Sequence, residues 1–493
     1  MLRKIPVLLF IVFVAALQAR GQKQRRPWVT ITPIHQPASS PVLYKHTRNQ
    51  HLGDTTYMVI RNISIMGNKR TRRAIVLREL DLQPGDTMYA SNQDAFLEEK
   101  RQRLLNSTLF LTVNIYPVNQ GPHHTDLNIE VLERQYFLIL PLLSLADRNF
   151  NVWWVDHNHE LDRLNYGLKL YENNLTGNKD RLSLGFTAGY TQQFLLSYNF
   201  PYFDKAYRQG FGIDVSYSRN REVNYAIDSN KQVFYHQDRF IEQAFSVGLR
   251  YSYKKQIRLK HEATLSYNSY KVADTILQLN PQFFPGTDVS QRYLELDYHF
   301  TYTGTDIWAY PLHGYSVDAV LSRKGFGLLG DVNETKLTFT AGKYWQLLPK
   351  TYGETILTGG LRLPARQPYF LFQGMGYKGQ FLRGLEYYVA EGDKLAILYN
   401  TLKKEVLAFR VHSRLLPEEF STIPIRMYFK IYGDVGYNHF VQDGAHSQLT
   451  NKWLYSYGMG LDIVTFYDAV LRVEYSINQL GEKGLFLHFK STF

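Results

Sequence analysis

A single Arg-Gly pair, Arg383-Gly384, sits among apolar and aromatic residues in the stretch GQFLRGLEYYVAEGDK, which runs from Gly379 to Lys394. An arginine in such company is neither a nucleophile nor a general base. It is a permanent cation whose planar fork of donors suits bidentate capture of a carboxylate. The neighbouring glycine permits a turn, or a close backbone approach, that a side chain would block. Other chemistry-bearing stretches are weaker. GFGLLG, Gly325 to Gly330, satisfies the dinucleotide pattern literally, but the alternating run TKLTFTAGKYW follows where a helix N-terminus would have to meet the pyrophosphate. It reads as a glycine turn. DHNHE, Asp156 to Glu160, carries ligand-type side chains but lies between alternating runs, and no metal-ligand spacing recurs elsewhere. It reads as a polar loop. Ser and His are abundant, yet no spacing singles out a pair with an orienting Asn or Asp for acyl transfer. The expectation is a protein that is not an enzyme and uses no nucleotide, metal or other cofactor.

Composition bounds the class. The chain has 493 residues, enough for more than one domain, and its 44% hydrophobic content is ordinary for a globular protein. The 37 Tyr and 30 Phe are unusual. Aromatic residues suit pleated sheets, and Tyr also suits membrane interfaces. The absence of cysteine excludes disulfides, thiolate metal sites and a lipoprotein anchor. Residues 1–21 read as a signal peptide: Arg3 and Lys4 precede the apolar run Ile5 to Leu17, and small residues follow near Ala19 and Gly21. The other reading of that run is a retained anchor, but it is short for a membrane span. No later stretch approaches the roughly 20 apolar residues of a spanning helix. The formal net charge of +12 is scattered apart from Lys23 to Arg26. An exported chain rarely meets nucleic acid, so the charge reads as solvated faces oriented against anionic lipid.

The elements that must position Arg383 follow from periodicity. Residues 22–56 are polar, with Pro27, Pro33, Pro37 and Pro41, and read as a flexible linker. Residues 57–134 read as strand, helix, helix, strand, strand. Thr71 and Ser91 are the N-cap candidates, and Phe96, Leu97, Leu104 and Leu105 line one side of the second helix. With Gly67-Asn68 after the first strand, Pro84-Gly85-Asp86 between the helices, LLNSTLF and the final VLER, this segment resembles the POTRA (polypeptide-transport-associated) domain. From residue 135 to 493 the helical period disappears. Leu294, Leu296, Tyr298, Phe300 and Tyr302 alternate with polar residues, as do Phe245 to Tyr253 and Ala469 to Ile477. About sixteen such runs predict an antiparallel transmembrane β-barrel, apolar outside and polar within, because a closed sheet satisfies every backbone group in hydrocarbon. A soluble sandwich would favour aliphatic residues over so much Tyr, and a propeller would show an internal repeat. The chain ends in LFLHFKSTF, where Leu485, Leu487, Phe489 and Phe493 share one parity.

With a POTRA-like domain before the barrel, FLRGLEYY resembles the inward-folded loop motif of the outer-membrane assembly and secretion barrel family, which includes BamA, TamA and the two-partner secretion transporters and whose barrel is also termed bacterial surface antigen. Leu382 fits the aliphatic position, and Arg383 and Gly384 match. Leu385 departs, since the family has an aromatic there; Tyr387 or Tyr388 are the candidates to compensate. The resemblance implies that Arg383 pairs in the lumen with an acid on a late strand, here Asp434 in IYGDVGY, beside Gly436. It further implies an outer-membrane location with the POTRA domain in the periplasm. The implied partners are outer-membrane lipid, unfolded outer-membrane or secreted polypeptides, and periplasmic accessory proteins; the implied function is assembly, insertion or translocation of polypeptides. A passive diffusion pore is the alternative. A weak seam between first and last strands is implied too. Pro141, in the candidate first strand YFLILPLLSLA, would weaken pairing with Leu485 to Phe493, unless it merely precedes the strand.

Overall fold

Alternation along the chain and the apolar faces of two helices set the architecture of this computed structural model. It describes residues 29–33 and 57–490, apart from 122, 147–149, 156–157, 257, 373, 378–379, 414–421, 442–446 and 466–468. The proposed signal peptide, most of residues 22–56 and Phe493 therefore lie outside the described residues.

The first domain is built from β2 (Tyr57–Met66), α1 (Arg73–Leu80), β3 (Thr87–Tyr89), α2 (Gln93–Asn106), β4 (Phe110–Asn119) and β5 (His124–Glu133). Its sheet has the order β3-β2-β5-β4, with β2 parallel to β5. Ile60, Ile63, Ile75, Leu80, Leu104, Phe110, Leu127 and Ile129 are fully buried between helices and sheet. Each such side chain contributes about 1.5–3 kcal/mol by leaving water. Two capping expectations fail. Helix α1 starts after Arg72, without a side-chain cap; the Thr71 hydroxyl donates to Glu133 Oε1 at 2.5 Å and accepts from Asn174 Nδ2 at 2.9 Å instead of from the helix. Ser91 falls in a short 3-10 turn, and α2 starts after Asn92, also uncapped. The short β3, absent from the expected order, pairs with the start of β2.

The barrel strands are β6 (Phe137–Leu145), β7 (Leu164–Asn173), β8 (Arg181–Gly189), β9 (Thr191–Phe200), β10 (Gln209–Asn220), β13 (Glu242–Gln256), β14 (Leu259–Val272), β15 (Ser290–Thr305), β16 (Gly314–Lys324), β17 (Glu334–Leu348), β18 (Thr351–Leu363), β19 (Lys394–Ser413), β20 (Thr422–His439), β21 (Lys452–Val464), β22 (Val470–Asn478) and β23 (Lys483–Lys490). They form one antiparallel ring of sixteen strands in which β23 adjoins β6. Side chains obey the expected parity: Phe245, Leu249, Tyr251, Leu296 and Tyr298 are exposed on the outer wall, whereas Glu354, Lys403, Lys430, Asp462 and Glu474 join ion pairs on the inner one. An apolar outer band with every strand paired is the physical signature of a membrane-spanning barrel.

One expectation about residues 22–56 is corrected. Val29–Pro33 is a strand, β1, paired antiparallel with the end of β19. VTITP is rich in β-branched residues, which favour extended backbone over linker behaviour.

The first domain packs against the barrel turns at one end. Tyr136 and Tyr202 belong to its hydrophobic core although they lie at the barrel's edge. Arg78 donates to the carbonyls of Tyr207 and Lys254 at 3.0 and 2.9 Å, and Arg70 pairs with Glu172 at 2.5 Å. Glu79 is buried between the Tyr202 hydroxyl, at 2.7 Å, and Lys179 Nζ, at 3.0 Å. Burial alone would raise the Glu79 carboxyl, but Lys179 and Lys254 outweigh it and bring it down to about 2. By alternation of turns, the β10–β13, β18–β19 and β20–β21 connections lie at the far mouth. There β11 (Glu222–Asp228) and β12 (Lys231–His236) form a hairpin. Its base packs with α4 (Asp274–Leu279) in a cluster around Val223, Ile276, Phe283 and Phe284; α3 (Phe150–Val155) lies between β6 and β7.

Candidate functional site

Arg383 lies on the β18–β19 connection, residues 364–393, and reaches the inner wall of the barrel. Its Nε and Nη2 donate to Asp434 Oδ2 and Oδ1 at 2.6 and 2.5 Å, a bidentate fork. Nη2 also donates to Thr401 Oγ1 at 3.2 Å, and Glu474 Oε1 lies 3.7 Å from Nη1. The guanidinium carbon stands 3.9 Å from the Tyr432 ring centroid. The Asp434 side chain is 0% exposed and that of Arg383 11%. A charged pair this dry is held by geometry, since each charge would be costly alone. Asp434, Tyr432 and Gly436 share the inward parity of β20, which places acid, aromatic face and a gap on one surface. The gap is used: a Cβ on Gly436 would sit 3.5 Å from Leu382 Cδ1.

Gly384 is required by conformation and by space. Its φ is +88°, and a Cβ there would lie 3.0 Å from Ser476 Cβ. Its carbonyl accepts from Asn478 Nδ2 at 2.8 Å. Leu382 and Leu385 are fully buried in a cluster with Met375, Ile397, Leu449 and Leu454. A leucine at 385 therefore fills an apolar pocket where the resembling family has an aromatic. Tyr387 and Tyr388 do other work. Tyr387 packs on Phe486 of β23, with centroids 5.6 Å apart, and Tyr388 donates to Glu482 at 2.5 Å. Phe381 stacks on His488 of β23 at 5.2 Å, and the same imidazole lies 3.2 Å from Glu474 and 3.4 Å from Glu386. The loop thus grips the closing strand as well as β20.

Hydrogen-bond parity locates Pro141. It lies inside β6, opposite Leu168 of β7, so it does not merely precede the strand. Asn173 N–H donates to Tyr136 C=O, and Ala146 N–H to Arg163 C=O. Even-numbered positions of β6 therefore bond to β7, because pairing direction alternates along an antiparallel strand. Odd positions turn their backbone to the other edge, toward β23. The missing N–H of Pro141 is thus missing from the seam. Asn478 N–H donates to Glu482 C=O, so by the same count Leu485, Leu487 and Phe489 turn their backbone toward β6.

Above the loop, the β11–β12 tip spans the mouth. Val389 N–H donates to Asn230 C=O at 2.8 Å, and Asn230 Nδ2 donates to Val389 C=O at 3.1 Å and to Ser447 Oγ at 2.9 Å. Gln448 N–H donates to Asn230 Oδ1 at 2.8 Å. Asn230 has φ +61°, a conformation asparagine tolerates better than most residues.

Several residues at the site were not singled out from sequence. Glu474 and Tyr432 carry the right parity on their strands, but so do many others, and only proximity selects them. Asn230 follows Ser229 in a short turn between alternating runs, which signals a hairpin but not what its tip touches. Of DHNHE, Asp156 and His157 lie outside the described residues; the Glu160 carbonyl accepts from the Trp153 indole at 2.8 Å. Gly325 and Gly327 take φ of +76° and +72° in the β16–β17 turn.

Residues 58–134 match the POTRA family, described as surface antigen variable number repeat. No curated protein matches the chain. Among solved structures, BamA from Haemophilus ducreyi lacking POTRA domains 1-3 is similar at 14% identity and a TM-score of 0.52, over 88% of this chain and 84% of that one. CdiB from Escherichia coli aligns at 11% identity and 0.49, over 91% and 92% of the two chains. CdiB from Acinetobacter baumannii aligns at 14% and 0.45, over 88% and 73%. The fold is thus that of a BamA-like barrel carrying one POTRA domain.

Proposed function

We propose that this chain is an outer-membrane barrel that inserts or translocates polypeptides, with its POTRA domain in the periplasm to receive clients or accessory partners. The observation that carries this reading is the loop clamp: Arg383 is locked onto Asp434 while the same loop holds β23 through Tyr387 and Phe381. A loop that fastens two late strands from inside can set the stiffness of the wall next to the seam. Across that seam, Pro141 withholds one backbone donor. A client strand with a complete set of donors and acceptors can compete there by adding to the exposed edge. Insertion then proceeds by exchange of hydrogen bonds, without nucleotide or metal. The pore reading is less well supported, because the loop and the Asn230-latched hairpin both occupy the path that free diffusion needs.

Depletion of the protein followed by outer-membrane proteomics tests the proposal. Loss of particular outer-membrane or secreted polypeptides, rescued by the intact gene but not by Arg383→Ala, is the expected result. An unchanged proteome together with a large, stable conductance from the purified protein would favour the pore.

A further inference from the structure

Strand β19 outruns its neighbour. β18 covers it only from Lys394 to Lys404, where Thr351 faces Lys404. Beyond the turn at Pro349 and Lys350, β19 continues to Ser413 on the POTRA side of the barrel, paired on its other edge with the start of β20. The edge that β18 leaves is taken by Val29–Pro33, with Val29 opposite Ser413 and Pro33 opposite Phe409. This segment reaches the site from far away in sequence and pairs with β19 over five residues. The register also sets up cross-strand rows. Ile31, Val411 and Ile423 stand in one row, and Pro33, Phe409 and Ile425 in another of the same parity. Val411 and Ile423 are both buried. An incoming strand with apolar residues at every second position matches these rows.

We propose that the periplasmic end of β19, Phe409–Ser413, is a strand-addition site for an extended segment with alternating apolar residues, and that Val29–Pro33 fills it at rest. The client class rests on the insertion reading above, since alternating segments are what unfolded barrel proteins present. Main-chain pairing tolerates many sequences, so the resident strand is exchangeable. It is also tethered: residues 34–56 join it to the POTRA domain at Tyr57. Tethering gives a local concentration on the order of millimolar. A free polypeptide competes poorly against that, whereas one already held on the POTRA domain competes on equal terms. The resident strand also shields an edge that would otherwise pair with other chains.

The chain has no cysteine, so an introduced pair reports cleanly. Thr32 faces Arg410 across the two strands, a spacing that suits a disulfide. The full chain in detergent would be compared as Thr32→Cys/Arg410→Cys, oxidised and reduced, and as a deletion of residues 28–34. Heat-modifiable mobility checks that each barrel is folded. The probe is a fluorescent peptide with the sequence of residues 483–491, and a version with two prolines is the control. Anisotropy should show at least tenfold tighter binding to the deletion than to the oxidised protein. Reduction should restore binding at peptide concentrations on the order of millimolar, where a free strand rivals the tether, and the proline peptide should bind neither form. Equal binding by oxidised and reduced protein overturns the proposal even if the deletion fails to fold. So does a deletion variant that takes up a peptide of residues 28–36 but not the alternating one, which would make the site a private tether. Because this assay needs no membrane insertion, its failure leaves the depletion experiment standing, and failure of depletion leaves the site without a client but still present.

Discussion

At the residue scale, the account turns on one guanidinium. Arg383→Ala leaves Asp434 buried without its forked partner, and breaking a buried pair costs about 3–5 kcal/mol. The loop should become accessible to protease added from outside the cell while the barrel keeps its heat-modifiable mobility. Arg383→Lys retains charge but loses the fork and the stacking on Tyr432. It should behave much more like the alanine variant than like the parent. Gly384→Ala forces a side chain into left-handed backbone, at about 1–2 kcal/mol, and pushes against Ser476. It should raise the same proteolytic sensitivity with Arg383 still present. Arg383, Gly384 and Asp434 were legible in the sequence only through resemblance; composition and periodicity alone left Arg383 as one cation among many. Glu474, Tyr432 and Asn478 were not legible, because strand alternation says which face a residue takes but not which strand will stand beside which loop.

At the element scale, the POTRA domain and the hairpin at the far mouth each make a contact open to test. Glu79 has its carboxyl lowered from 4.5 to about 2 in the docked domain. A depressed acid stabilises the docked state fully above its ordinary value and loses that contribution as pH falls toward the lowered one. Docking, followed by a fluorescence distance between α2 and the β15–β16 turn, should hold down to about pH 4.5 and loosen toward about pH 2. Glu79→Gln should weaken docking at neutral pH and flatten that acid dependence. At the other mouth, Asn230→Ala removes three side-chain hydrogen bonds between the hairpin and the opposite loops. Single-channel recordings should then show frequent brief openings absent from the parent. The helices of the first domain were read correctly from apolar spacing, but their caps were not. The Thr71 oxygen accepts from the Asn174 amide, more than a hundred residues away, and no local rule weighs such a competitor. The strand at Val29–Pro33 was missed because flanking prolines dominated the reading of that region.

At the scale of the whole molecule, alternation sufficed to foresee sixteen strands, since one period repeated along most of the chain leaves few closed alternatives. Closure was expected as well, but the pairing parity at the seam was not legible. Which backbone groups face the seam depends on pairing parity, and that parity is what aims Pro141 at β23. Restoring the donor with Pro141→Val should tighten the seam and slow client insertion without destabilising the barrel. The most direct test of the central claim is the rate at which an unfolded outer-membrane barrel protein folds into vesicles containing this protein. The account predicts faster folding than in empty vesicles, reduced to the empty-vesicle rate by Arg383→Ala and lowered by Pro141→Val. Equal rates with and without the protein, or acceleration indifferent to the loss of Arg383, would contradict it.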